Sequence, residues 1–212
     1  MASRRAFTLI ELLTVIAIVG VLMAITIPVV AGVRNSARTS KCAANLRALG
    51  LAGKLYADEH KGRFCSSRLY HAASHATEPG LIDYLDKTAK HEVFTCPSFV
   101  DYPFSEALDG IRHTYTLALV ATDNPASWGN YPLRLVSKVQ HPTRTAWMMD
   151  GAWVPASGWF SSAIRPTTAD LAMLQYPHGQ RQNVLFVDGH VERVAKDRLD
   201  DPTALIWTGV QQ

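Results

Sequence analysis

From Leu12 to Val33 the chain runs for 22 residues without a charged side chain. As a helix this stretch spans about 33 Å, enough to cross the ~30 Å hydrocarbon core of a bilayer. It is too long for the h-region of an ordinary secretory signal, and no A-x-A site follows it; Ala31-Gly32-Val33 imitates one only weakly. The whole chain has 212 residues. That leaves room for one membrane segment and one compact domain of ~150 residues with a real core. Arg4 and Arg5 precede the span, while Arg34, Arg38 and Lys41 follow it, so the positive-inside rule does not set the orientation. The formal net charge of +3 is too small to argue for nucleic acid, and no long basic block appears.

Glu11 stands at the start of the apolar run. A carboxylate well inside a membrane helix costs about 2.5–3.5 kcal/mol. On one reading Glu11 sits at the headgroup boundary, one turn into the helix, where the cost is small. On the other, a cut between Ala6 and Phe7 gives Phe7 a free α-amino group four residues from Glu11. A neighbouring copy then brings a second amine near the carboxylate. A positive partner supplied by another subunit would drive register-specific association.

The stretch "RRAFTLIELLTVIAIVGVL" resembles the prepilin-type N-terminus shared by type IV pilins and type II secretion pseudopilins. The resemblance implies that a dedicated membrane aspartic peptidase cuts between Ala6 and Phe7, that Phe7 is then N-methylated, and that Glu11 is the subunit-docking glutamate. It implies a cytoplasmic leader, a bacterial inner-membrane helix and a globular domain outside. The implied partners are the prepilin peptidase, other copies or related pilin subunits, membrane lipid, and an inner-membrane assembly platform with a separate ATPase. One departure is Ala6, where the family usually has glycine before the cut. Loss of the leader removes Arg4 and Arg5 and lowers the formal charge from +3 to +1.

Pro28 inside the apolar run removes a hydrogen bond, and Gly32 is a second weak point, so a helix break is expected there. Beyond it, Cys42, Leu46, Leu49, Gly53 and Tyr56 fall on one helical face. Arg34, Arg38, Lys41, Arg47 and Lys54 lie opposite. That basic face is either solvated or meets acidic patches on neighbouring subunits. "DEHKGRF" ends the helix at Gly62. The organisation expected is a leader at 1–6, a membrane and filament-core helix at 7–33, an amphipathic continuation at 34–60 and a globular domain at 61–212. The fold expected is α+β, with the long helix packed on a small antiparallel sheet. Leu81–Lys90 reads as a short helix, and His113–Thr122 and Arg144–Asp150 read as strands. Asn124–Pro132 and the "GAWVPASGW" that follows Asp150 read as loops. Asn183–Val194 reads as a hairpin closed by a two-residue turn at Asp188-Gly189.

A second resemblance lies in "YPHGQRQNVLFVDGHVERV". His178, nine residues, then Asp188 and Gly189 is similar to the H-X9-DG motif of a large prepilin-type subfamily. "CAANLRALGLAGKLYADEHKGRF", "FTCP" and "RTAWMMDG" match it more weakly. Cys65 is a departure, since proline often follows "GRF" in such proteins. Three cysteines, Cys42, Cys65 and Cys96, exclude a disulfide-built mini-fold. The family pattern favours a bridge between Cys42 and Cys96; three buried thiols are the alternative.

His178 and Asp188 are suitable metal ligands, and His190 and Asp150 are candidates to join them. The plainer reading is that His178 hydrogen-bonds the hairpin and Asp188 makes its turn. His71 and His75 have helical ligand spacing but no accompanying HExxH motif or carboxylate partner. No nucleotide loop, dinucleotide fingerprint or nucleophile elbow is present, and "GWFSSAI" around Ser161 is not one. No cofactor and no enzymatic activity are expected. Among the tryptophans, Trp128 and Trp153 are the candidates for surface contact. The reading that unites these features is a structural subunit of a pilus-like or secretion-like filament. Its rival is a non-polymerising anchored binding protein with a metal at His178 and Asp188.

Overall fold

The computed structural model describes residues 9–65, 80–85, 90–99, 113–118, 135–155, 158–161 and 163–208. The cut site at Ala6 and Phe7, the pair His71 and His75, Trp128 and the expected 124–132 loop lie outside these residues. By internal contacts the chain divides into two units, Met1–Arg38 and Thr39–Gln212.

Helix α1 covers Leu9–Glu59 and is continuous through both Pro28 and Gly32. The break expected there does not occur. Proline lacks one donor, and its ring costs about 3 kcal/mol in a helix interior. Breaking the ladder within an apolar stretch would strand several backbone groups at several kcal/mol each. Continuing the helix is therefore the cheaper course. In the first unit the apolar side chains of this helix are exposed, Ile16, Val21, Ile25 and Val29 among them. The helix is long and apolar enough to cross a membrane. An uncovered apolar stripe of this size is what lipid or partner helices bury.

In the second unit the face carrying Cys42, Leu46, Leu49, Gly53 and Tyr56 is buried. Arg47 and Lys54 are exposed on the other side. The helix stops where Lys61 and Gly62 turn left-handed, with φ of 57° and 75°. The Gly62 N–H then returns to the Ala57 carbonyl at 2.7 Å. After it come a 3-10 turn at Leu81–Tyr84 and the short helix α2 at Lys90–Val93. The continuous Leu81–Lys90 helix expected is not seen in the described residues, because Leu85 is already extended at the end of the turn.

The strands are β1 (Tyr115–Ala118), β2 (Ala146–Asp150), β3 (Ala152–Val154), β4 (Trp159–Ser161), β5 (Ala163–Ile164), β6 (Arg181–Phe186) and β7 (Val191–Ala195). A 3-10 turn at Val136–Lys138 and the short helices α3 (Thr168–Leu171), α4 (Lys196–Leu199) and α5 (Leu205–Thr208) complete the described elements. Five strands form one sheet in the order β5-β1-β2-β6-β7, and β3-β4 form a separate ribbon. All pairs are antiparallel except β1 with β5. The sheet is thus mixed at one edge rather than wholly antiparallel. The β3–β4 hairpin intervenes in the chain and returns it to the open side of β1. That hairpin occupies the segment expected to be loop. Its strands are built from Trp153, Val154, Trp159 and Phe160, which suit a pleated surface. Pro155 and Gly158 only make its turn, Gly158 at φ 70°.

The sheet buries both faces. Leu117, Trp147, Met148 and Leu185 pack with Cys42, Leu46 and Leu49 of the helix, while Ala146, Met149, Val184 and Phe186 pack with Leu199, Ile206 and Trp207 on the opposite face. A register shift between Ala146 and Met148 marks a bulge at Trp147. Such an extra residue re-aims its side chain. The Trp147 ring lies edge-on to Phe64, 5.3 Å between centroids. It also lies where a Cβ on Gly53 would stand, 2.2 Å from the nearest ring atom. Gly53→Ala is therefore expected to destabilise the domain by about 1–3 kcal/mol through overpacking. This outweighs the ~1 kcal/mol that alanine gains over glycine in a helix. Chemical denaturation checks the sign, since a stabilising effect would mean the ring moves aside freely.

The β6–β7 hairpin closes differently from the two-residue turn expected. Leu185 is the last residue of β6 paired with β7, and its partner is Val191. The Gly189 N–H reaches the Phe186 carbonyl at 2.9 Å. Gly189 has φ 99°, and Asp188 stays at negative φ. The turn is longer because its backbone is already used: Val187 N–H donates to Thr145 O and Asp188 N–H to Pro142 O.

Candidate functional site: an anchor helix and a buried polar knot

Two sites emerge, one in each unit. In the first, Glu11 lies in the first turn of α1. Its carbonyl accepts from the Thr14 hydroxyl at 3.0 Å. The side chains around it, Leu9, Ile10, Leu12 and Leu13, are all exposed. A carboxylate thus stands near one end of a long, exposed apolar stretch.

The second site is buried. Cys42 of α1 and Cys96 are joined by a disulfide, Cα to Cα 4.8 Å. Around it converge polar groups from distant parts of the chain. The His178 ring is wholly buried, and its Nε2 lies 3.0 Å from Asp150 Oδ2. Its Nδ1 is 3.1 Å from the Thr39 hydroxyl. Cys96 Sγ lies 3.7 Å from the same His178 Nε2. Asp150 Oδ2 also accepts the Asn183 N–H at 2.6 Å. Asp150 ends the apolar strand β2, and Asn183 faces it from β6. Gly179 and Gln180, both left-handed at φ 68° and 61°, turn the chain from His178 into β6. Arg193 of β7 fixes the His178 carbonyl at 3.2 Å. Nearby, Asn45 of α1 donates to the carbonyls of Glu92 and Thr95, 3.2 and 3.0 Å away. The Tyr115 hydroxyl donates to the Cys42 carbonyl. Chain segments far apart in sequence are thus tied at one point by groups whose hydrogen bonds cannot be replaced by water.

His178 and Asp188 are not brought together. His178 turns inward to Asp150, whereas Asp188 lies at the exposed hairpin turn and pairs with His190. The His190 ring Nδ1–H donates to Asp188 Oδ1 at 2.7 Å, and its N–H reaches the same oxygen at 3.1 Å. Partial burial pushes the Asp188 carboxyl up, but the His190 backbone and ring bonds and the nearby Lys54 charge outweigh it and hold it below the usual range. Lys54 donates to the Asp188 carbonyl, so this member of the basic helix face anchors the turn. The pairing of His178 with Asp188, on which the binding-protein reading rested, is thus not favoured: each has a different partner. Thr39 and Asn183, which belong to the knot, carried no sequence signal of their own. Asp150 did, as a candidate to join His178 among the ligands. Trp153 is half-buried against Phe160, 5.2 Å between centroids, rather than projecting as a surface contact. Cys65 is buried beside the core, and Ser161 is a buried strand residue whose hydroxyl donates to the Ala163 carbonyl.

An apolar helix with an acid in its first turn, long and apolar enough to cross a membrane, narrows the class of protein. Residues 1–27 match the family model of the prokaryotic N-terminal methylation motif. Over those residues the chain is similar to the N-termini of type IV pilins and pseudopilins, and its apolar helix is consistent with an inner-membrane anchor. The comparisons with curated proteins and with solved structures found no match.

Proposed function

We propose that this chain is a structural subunit, pilin or pseudopilin, of a type IV pilus-like or type II secretion-like filament. The observation that carries the reading is the exposed apolar helix with Glu11 near its start, inside the matched methylation motif. The leader at 1–6 is cut after Ala6 by a prepilin peptidase, and Phe7 becomes the methylated N-terminus. The helix first anchors the subunit in the inner membrane, with the leader cytoplasmic and the globular domain outside. It is then extracted into a filament, where apolar helices pack and Glu11 meets the Phe7 amine of a neighbour. One heterologous, non-closing contact of this kind is enough to make a fibre. The work of extraction comes from a separate ATPase at an assembly platform. The role is structural rather than enzymatic. A disulfide in the domain supports an oxidising compartment outside the cytoplasm.

The test is the intact mass and N-terminal residue of membrane-extracted protein, with and without coexpressed prepilin peptidase. Peptidase-dependent loss of residues 1–6 and one added methyl group on Phe7 are expected. Glu11→Ala is expected to be cut normally yet to be missing from sheared filaments. A Met1 or Ala2 terminus despite active peptidase would sink the reading.

A further inference from the structure

The buried knot contains more than a disulfide needs. Among the described residues, Cys42, Cys96, Asp150 and His178 place one donor atom each within 4.8 Å of one another, all buried. Two sulfurs, an imidazole nitrogen and a carboxylate oxygen form a donor set suited to a thiophilic divalent cation. Two of the spacings are close to those of a tetrahedral site. A tetrahedral zinc ion with ordinary bond lengths places sulfur and nitrogen ligands about 3.6 Å apart, and nitrogen and oxygen about 3.3 Å apart. The corresponding distances are 3.7 Å for Cys96 Sγ to His178 Nε2 and 3.0 Å for His178 Nε2 to Asp150 Oδ2. Two further features point the same way. Asp150 Oδ1 is buried and has no hydrogen-bond partner, an arrangement that asks for a cause. The Thr39 hydroxyl holds His178 Nδ1, as an outer partner holds the far nitrogen of a metal-bound histidine.

We propose that the dithiol form of this domain holds one zinc-class divalent cation through Cys42, Cys96, His178 and Asp150. Metal and disulfide are then alternative locks on the same knot. With the disulfide closed, each sulfur spends its bonding electrons on the other. A phosphine reductant opens it in one balanced step: the phosphine takes up a water oxygen to become phosphine oxide, and two thiols form. Binding then replaces the two thiol protons by the cation, with the sulfurs parting to about 3.8 Å, the edge set by ordinary zinc–sulfur bonds. His178 coordinates through Nε2, and its proton moves to Nδ1 to face Thr39. Oxidation by a disulfide-bearing partner returns the disulfide, releases the cation and leaves that partner as two thiols. The inference concerns the folded domain alone and does not depend on filament assembly.

The test uses the full chain in detergent, oxidised or phosphine-reduced under argon, titrated with cobalt(II) and then zinc. The reduced chain is expected to bind one equivalent of cobalt, with visible bands of a tetrahedral site and a thiolate charge-transfer band that zinc abolishes. The oxidised chain is expected to show none of these. Cys65→Ala should behave as wild type. Cys42→Ser, His178→Ala and Asp150→Asn should each lose or shift the bands, and Thr39→Val should bind about 10–100-fold more weakly. Folding of each variant is checked by circular dichroism. Zinc should also raise the unfolding midpoint of the reduced wild type, a readout that needs no variant. The proposal is overturned if reduced wild type neither binds cobalt nor gains stability from zinc, or if Cys65→Ala rather than Cys42→Ser abolishes binding.

Discussion

Replacing Cys42 and Cys96 together by serine is expected to destabilise the globular domain by about 4 kcal/mol in the chain-entropy account of cross-links. The two residues are 54 positions apart, so the open form gains the freedom of a long loop in the unfolded chain. The native cost adds to this. Both cysteines are buried, and two serine hydroxyls would need hydrogen bonds in a space built for a disulfide. In a domain of this size each kcal/mol moves the unfolding midpoint by roughly 2–4 °C. A fall of about 10 °C should therefore be seen by tryptophan fluorescence of the full chain in detergent. Zinc should not rescue this double variant, whereas it should rescue the reduced wild type. A fall below about 2 °C, less than one kcal/mol on that scale, would mean that the remaining contacts hold the helix to the sheet without the bridge.

The helix was the most legible element because its signals act locally. An uncharged run long enough for a bilayer, and a face of Cys42, Leu46, Leu49, Gly53 and Tyr56 at helical spacing, need only neighbours along the chain. The same locality explains the error at Pro28, since the rule for proline prices one residue and ignores the cost of breaking an apolar helix around it. The strands at Tyr115–Ala118 and Ala146–Asp150 were visible in their β-forming side chains. The β3–β4 hairpin was hidden because Pro155 and Gly158 dominate a short segment whose strands are only three residues each. In the site, spacing misled. His178 and Asp188 stand out as a motif, yet nine residues of turn and strand carry them apart, one inward and one to the surface. What joins His178 to Asp150, Thr39 and Cys96 is tertiary, and no local pattern encodes it. Residue type alone placed Asp150 beside His178 among the candidate ligands.

Asp150→Ala should be about as costly as loss of the disulfide. The carboxylate accepts two hydrogen bonds through Oδ2, from the His178 ring at 3.0 Å and from the Asn183 backbone at 2.6 Å. Alanine leaves both donors in a place that water does not reach, since Asp150, His178 and Asn183 are all buried. Each stranded donor costs about 1–3 kcal/mol, and the small void adds to that. A total of about 3–5 kcal/mol follows, close to what is lost when one member of a buried pair is removed. Asp150→Asn keeps an acceptor of the same shape and should cost clearly less. The sharper test is a cycle with His178→Leu. If the two side chains act as one unit, the double variant Asp150→Ala, His178→Leu should be no worse than Asp150→Ala alone, because no ring donor is then left stranded. Simple additivity of the two single effects would show that His178 is held by Thr39 and the packing around it, and that the pairing with Asp150 does little to fix the loop to the sheet.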